Sequence, residues 1–167
     1  AMFQKGFTFE NYAIIFRQLG TTVKNTFWFS TVAILGIIIL GLLMSYVIAK
    51  LKGKSGAIMD FLIMAPYVIP GSVLGICYIV AFNKRPLILT GTGAIIILSF
   101  IVRKLPFTVR SGTAFLYQMD SSVDEASINL GVSPMKTFFK VTARLMIPGL
   151  FSGAILSWIA CINELSS

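Results

Sequence analysis

The sequence predicts an all-α, polytopic membrane bundle, and it does so through its composition, the length of its apolar runs and the placement of its basic residues. Of 167 residues, 56% are hydrophobic and 12% charged, with a mean hydropathy of +0.87; soluble domains run at about 45–50% and about 25%. A hydrocarbon core about 30 Å thick takes about 20 mostly apolar helical residues to cross. Four stretches approach that length, and Lys and Arg gather in two of the segments between them.

Taken in order, the first span is Phe27 to Ala49, apolar apart from Ser, Thr and Tyr. The second runs from about Phe61 to Phe82 and is interrupted by Pro66 and Pro70. Those prolines leave carbonyls free to line a pathway, or they serve only as packing kinks; the sequence permits both. Leu87 to Val102 is a short third span that opens on Thr90-Gly91-Thr92-Gly93, which predicts tilt or an irregular outer end. The fourth begins near Leu145 and reaches about Leu165. None reads as a signal peptide, because the first run is too long and no small-residue cleavage site follows it.

Orientation follows from the basic residues, since cytoplasmic loops carry the positive excess. Lys50, Lys52, Lys54, Arg103, Lys104, Arg110, Lys136, Lys140 and Arg144, nine in all, fall on one side, against five on the other: Lys5, Arg17, Lys24, Lys84 and Arg85. Residues 50–57 and 103–144 are therefore expected inside, and residues 1–25 and 83–86 outside. The net charge of +8 fits this bias and gives no reason to expect nucleic acid as a partner. Anchoring to anionic lipid headgroups accounts for most of these residues.

Catalytic chemistry is scarce. The chain has no His, and Cys77 and Cys161 lie in separate predicted spans, so neither a Cys/His zinc site nor a His-activated nucleophile can be built. The cysteines read as packing residues without a disulfide. Gly53-Lys54-Ser55 resembles the end of a phosphate-binding loop, but the required earlier glycine is Ile48. No catalytic residue, metal ligand or bound cofactor is expected; ATP and magnesium, if used, belong to another chain.

The inner loop carries the most information. Pro106 is expected to end the third helix, with Phe107 to Met119 forming a surface or bundle-end helix. Ser122-Val123-Asp124-Glu125 matches a capping box, Gly131 suits the left-handed end of a helix, and Ser133-Pro134 suits the start of another. The result is a helix, a sharp turn and a helix, a connection open to any polytopic protein that joins two spans. A longer pattern, in which Glu125-Ala126-Ser127 and Gly131 precede Lys136-Thr137-Phe138-Phe139-Lys140-Val141-Thr142 and Pro148-Gly149, argues for more.

At these residues the chain resembles the permease subunits of binding-protein-dependent ABC importers of type I, whose Glu-Ala-Ala loop forms a coupling helix. The resemblance implies that Asp124, Glu125, Ala126, Ser127 and Gly131 dock a cytoplasmic ABC ATPase that binds ATP and magnesium. Where the family often has Leu-Pro, this chain has Ala143-Arg144, so the entry to the last span is expected to kink less. Phe9-Glu10-Asn11-Tyr12, Ala65-Pro66-Tyr67-Val68-Ile69-Pro70-Gly71, Phe82-Asn83, Pro86, Arg103, Leu105-Pro106 and Val109-Arg110 also match. Asn163-Glu164-Leu165-Ser166-Ser167 is similar to the Glu-Leu-Ser segment of the ferric-iron branch.

The resemblance implies one transmembrane permease domain over residues 1–167, with a cytoplasmic coupling loop at 103–144, cut from a longer protein. It sits in the bacterial cytoplasmic (inner) membrane with a second permease half or copy and a periplasmic or lipid-anchored substrate-binding protein. Pro66, Pro70, Asn163 and Glu164 are the candidates for the translocation pathway, with Glu164 equally readable as a buried polar contact. Gly41-x3-Ser45, Gly71-x3-Gly75 and Gly149-x3-Gly153 present small residues on single helix faces, for close packing or for sliding. Ferric iron is the favoured cargo, ahead of a polyamine or another small solute. An ATP-independent secondary transporter and a membrane scaffold are the readings from other classes.

Overall fold

The computed structural model describes residues 9–51, 53–120 and 122–164, and all regular structure among them is helical. A long helix, α1 (Glu10–Lys50), is followed by α2 (Lys54–Val68), α3 (Gly71–Ala81) and α4 (Gly93–Gln118). A short α5 (Ser122–Asn129) leads to α6 (Pro134–Thr137), a π-helical turn at Phe138–Thr142, α7 (Ala143–Leu145) and α8 (Ile147–Ile162). Among the described residues one helical stretch, Leu19–Lys50, is by itself long and apolar enough to cross a membrane; α2 with α3, and Pro134–Leu145 with α8, qualify only as bent pairs.

The centre of the molecule is a three-helix core of α1, α4 and α8. Gly36 and Gly41 of α1 sit against Ile101 and Thr108, and Ser45 sits against Gly112, so α1 and α4 run parallel. Gly149 faces Phe115, Gly153 faces Thr108, and Ser157 donates to the Lys104 carbonyl, so α8 runs back antiparallel. The approach is close because these glycines carry no side chain. A Cβ on Gly153 would lie 2.7 Å from the Thr108 Cα, and one on Gly41 would lie 2.6 Å from the Thr108 methyl. Small residues at a four-residue spacing let helix backbones meet where lipid supplies no hydrophobic drive. Two of the three predicted small-residue faces thus make helix contacts, whereas a Cβ on Gly75 would meet nothing within 4 Å.

Hydroxyls, those of Thr108 and Ser157 buried, line the α4–α8 seam. Thr108 Oγ1 and Ser157 Oγ are 3.0 Å apart, Ser111 Oγ donates to the Gly149 carbonyl, and Ser152 Oγ lies 2.8 Å from Ser111 Oγ. Toward the other end, Ala33, Phe100 and Cys161 form an apolar cluster flanked by Phe29, Ile97 and Ile101.

Three expectations need correction. The second span is not one helix: α2 and α3 meet at 101°. Ile69, which precedes Pro70, is extended at φ −72°, ψ 133°, as the steric demand of a following proline requires. Pro66, by contrast, is carried within α2. Next, Pro106 does not end the third helix but lies inside α4, while Leu87 to Thr92 are not helical. The expected inner loop of residues 103–144 is therefore, as far as Gln118, a continuation of α4. An interior proline is tolerated in an apolar helix where neighbouring helices cover the gap, and Pro106 is buried in α4. Finally, the capping box does not form as expected at Ser122: the N–H of Ser122 is taken by Asp120 Oδ1 at 2.9 Å.

Candidate functional site

At the Lys50 end of the bundle the chain leaves α4 and builds a small helix-turn-helix around α5. Its start is fixed by Asp120, whose carboxylate accepts the Ser122 N–H and is thereby held below the ordinary carboxylate pKa. Its end is a Schellman turn: the N–H of Gly131 donates to the Ile128 carbonyl at 2.9 Å, and that of Val132 donates to the Ser127 carbonyl at 3.2 Å. Gly131 has φ +82°, a conformation that costs a side chain energy and glycine almost none. Ser133 is extended at ψ 148° and Pro134 opens the next helix.

One face of α5 is bound to its own chain. Asp124 Oδ2 pairs with Lys50 Nζ at 2.8 Å, and Asp124 Oδ1 accepts from the Thr142 hydroxyl at 2.7 Å. Burial pushes the Asp124 carboxyl up, but the hydrogen bonds from Lys50 and Thr142 outweigh it and hold the group below its ordinary pKa. Ser127 Oγ lies 2.9 Å from Thr137 Oγ1. Behind this face, Lys50 Nζ lies 5.6 Å from the centre of the Tyr46 ring, and Tyr46 packs on Phe138 with ring centroids 4.4 Å apart.

The opposite face is open. Glu125, Ala126 and Asn129 are exposed, as are Ile128 and Leu130, the latter at 84%. The five candidates named from the sequence therefore divide by role: Asp124 and Ser127 point inward as tethers, Glu125 and Ala126 lie on the free surface, and Gly131 makes the turn.

The second set of candidates lies deeper. Glu164, just past the end of α8, is buried with a side chain only 7% exposed; its Oε1 lies 3.0 Å from Arg103 Nη1, and its Oε2 bonds Lys104 Nζ. Arg103 and Lys104 fall between Ile101 and Thr108, which meet Gly36 and Gly41. The cluster is thus level with the middle of the Phe27–Ala49 run rather than in a loop, as the sequence had placed the two cations. A charge at such depth is tolerable when paired. Two cations share this carboxylate; Arg103 Nη1 meets it as an ion pair without hydrogen-bond alignment, and Arg103 Nε is buried without a hydrogen-bond partner among the described residues. Asn163 is exposed, and its side-chain amide donates to the Ile159 carbonyl; Leu165-Ser166-Ser167 lie outside the described residues. Pro66 is half-buried and Pro70 marks the 101° corner.

Sequence reasoning missed the partners Lys50, Thr137 and Thr142, and also the Arg103–Lys104–Glu164 cluster. The signal for the cluster was present: an acidic residue in an apolar span requires a cation, and α4 offered two adjacent ones. A further pair, Asp60 Oδ2 to Arg110 Nη2 at 3.0 Å, joins α2 to α4. Among the described residues no three His, Cys, Asp or Glu side chains come together as a metal site would need.

Over residues 37–167 the chain matches the family described as binding-protein-dependent transport system inner membrane component. It is 34% identical over 165 residues to the ferric transport system permease protein FbpB of Actinobacillus pleuropneumoniae, covering 96% of this chain and 24% of that protein. It is also 34% identical over 165 residues to the putative ferric transport system permease protein FbpB 1 of Haemophilus influenzae, covering 96% and 26%. Against the molybdate/tungstate transport system permease protein WtpB of Pyrococcus furiosus it is 32% identical over 146 residues, covering 87% and 57%. The chain spans about a quarter of the length of the two ferric relatives.

Proposed function

The chain belongs to the family of binding-protein-dependent transport system inner membrane components, and from that premise we propose that it forms part of the solute pathway of an ATP-driven importer in the bacterial cytoplasmic membrane. The observation that carries the reading is the two-sided α5. Its inner face is tied to α1 and to the segment leading into α8, while its outer face presents Glu125, Ala126 and Asn129, with Ile128 and Leu130 exposed beside it. A motor subunit gripping that outer face would move two membrane helices at once. The Lys50 end then faces the cytoplasm, where a partner ATPase binds ATP with magnesium, and a substrate-binding protein delivers cargo at the other end. A second permease half, covalent or separate, completes the path. The chain itself has no catalytic part.

Ferric iron is the favoured cargo, supported by the two ferric permeases at 34% identity. A second reading, an oxyanion cargo, is favoured by the 32% identity to the molybdate/tungstate permease and by the excess of one cation over the carboxylate at Arg103, Lys104 and Glu164. Uptake of radiolabelled ferric iron and of molybdate by vesicles holding the whole system decides between them.

Coupling is tested by Glu125→Lys, which reverses an exposed charge, and by Gly131→Pro, which cannot adopt φ +82°. Both proteins should insert normally, yet lose the ATPase on purification or keep it without stimulated hydrolysis and uptake. Normal ATPase association and normal uptake in both variants would reduce α5 to a connector.

A further inference from the structure

The segment from Pro134 to Leu145 meets α8 at 61°. If α8 runs along the membrane normal, this segment lies well toward the membrane plane. Its central turn, Phe138–Thr142, is π-helical. In an α-helix, side chains four residues apart drift by about 40° per step; the wider i→i+5 turn holds more residues and absorbs that drift. The segment therefore repeats nearly every four residues, and its burial follows that period. Phe138, Thr142 and Met146 are buried. Two positions away, on the opposite side, Lys136, Lys140 and Arg144 are all exposed, and none joins an ion pair among the described residues, in contrast to Lys50 and Arg110. Between these stripes, Met135, Phe139 and Ile147 are exposed apolar residues.

Three aligned cations beside large apolar side chains, on a segment inclined toward the membrane plane and leading directly into a membrane helix, have the character of an interfacial amphipathic helix. We infer that Lys136, Lys140 and Arg144 form a binding stripe for anionic phospholipid headgroups, with Met135, Phe139 and Ile147 entering the acyl boundary. An acidic protein partner is a poorer fit, because Phe139 and Ile147 require an apolar phase immediately beside the charges. The lipid also reaches α5: the buried side of the same segment supplies Thr137 and Thr142, the partners of Ser127 and Asp124. An anionic leaflet would thereby fix the tilt at which α5 is presented.

Native mass spectrometry of the intact permease, titrated in detergent with phosphatidylglycerol or phosphatidylcholine and without ATP turnover, tests the stripe independently of transport. A cation close to an anionic headgroup contributes about fivefold, so phosphatidylglycerol should be retained at least about fivefold better than phosphatidylcholine. K136Q/K140Q/R144Q should lose most of it, and K136R/K140R/R144K should retain it, which separates lost charge from lost fold. Soluble glycerol 3-phosphate should not displace the lipid. Equal retention of the two lipids by the wild type, or undiminished preference in the glutamine variant, would overturn the inference. So would loss of the partner ATPase from the glutamine variant with lipid retention unchanged, since the stripe would then be a protein-docking surface.

Discussion

The α1–α4–α8 core and the α2–α3 arm are made of similarly apolar helices, yet they are held in opposite ways. In the core, glycines bring backbones into contact, hydroxyls pair across the seam, and buried charges are paired. In the arm, α2 has no buried residue and α3 buries only Gly71, while Phe61, Leu62, Val68, Ile76 and Val80 are all well exposed. The arm touches the core through the half-exposed Asp60–Arg110 pair and the Tyr67–Phe107 ring contact. Hydropathy does not distinguish the two regions; steric fit and polar pairing do. The core is specified by its own residues, whereas the arm leaves its apolar side chains uncovered by this chain.

The largest effect expected from this contrast is at Glu164. Glu164→Gln leaves Arg103 and Lys104 buried without their carboxylate, and breaking a buried pair from one side costs about 3–5 kcal/mol. Thermal unfolding in detergent should show it, and an unshifted midpoint would mean that the cluster does not hold the core. Gly153→Ala comes next: its Cβ would collide with the Thr108 Cα and approach the Phe107 carbonyl, so α8 must move away at a cost of about 1–3 kcal/mol.

Asp124 gives a smaller effect with a defined pH dependence. Its folded pKa lies below the ordinary carboxylate value, so its stabilisation is fully present above that ordinary value, about 3.9, and is lost as pH falls through the depressed pKa. Between pH 5 and 8, hydrogen exchange in α5 should show no pH-dependent loosening of this tether beyond the intrinsic exchange rate. Asp124→Asn should raise it several-fold throughout that range, a loss of about 1 kcal/mol because Lys50 is half exposed and screened. Smallest is Gly75→Ala in the arm. With nothing within 4 Å, the substitution should leave stability unchanged or raise it by up to about 1 kcal/mol through helix propensity. A loss as large as that of Gly153→Ala would erase the distinction between arm and core.

The fold class, the helix-turn-helix with Gly131 at its corner, and the family were all legible in the sequence, because they rest on local rules: run length, a left-handed glycine and the residue spacing of α5. What escaped depended on partners far along the chain. Pro106 signals a break by local rule, yet α4 continues through it, with α8 packed on Lys104 and Thr108 to either side. Arg103 and Lys104 count as loop charges until Glu164, sixty residues on, is placed against them. Asp124 and Ser127 look equivalent to Glu125 and Ala126 until Lys50, Thr137 and Thr142 show which side of α5 is taken.

Asp124 has one further consequence. A helix pinned by a single bond can swivel about it, so that a force applied to its far side is dissipated as rotation. Asp124 binds through both oxygens, to Lys50 on α1 and to Thr142 on the π-helical turn, and Ser127 adds a contact to Thr137 one helical turn further on. Together these restrict the rotation of α5 about its own axis. A torque applied to α5 from outside is therefore passed on to α1 and to the segment that leads into α8.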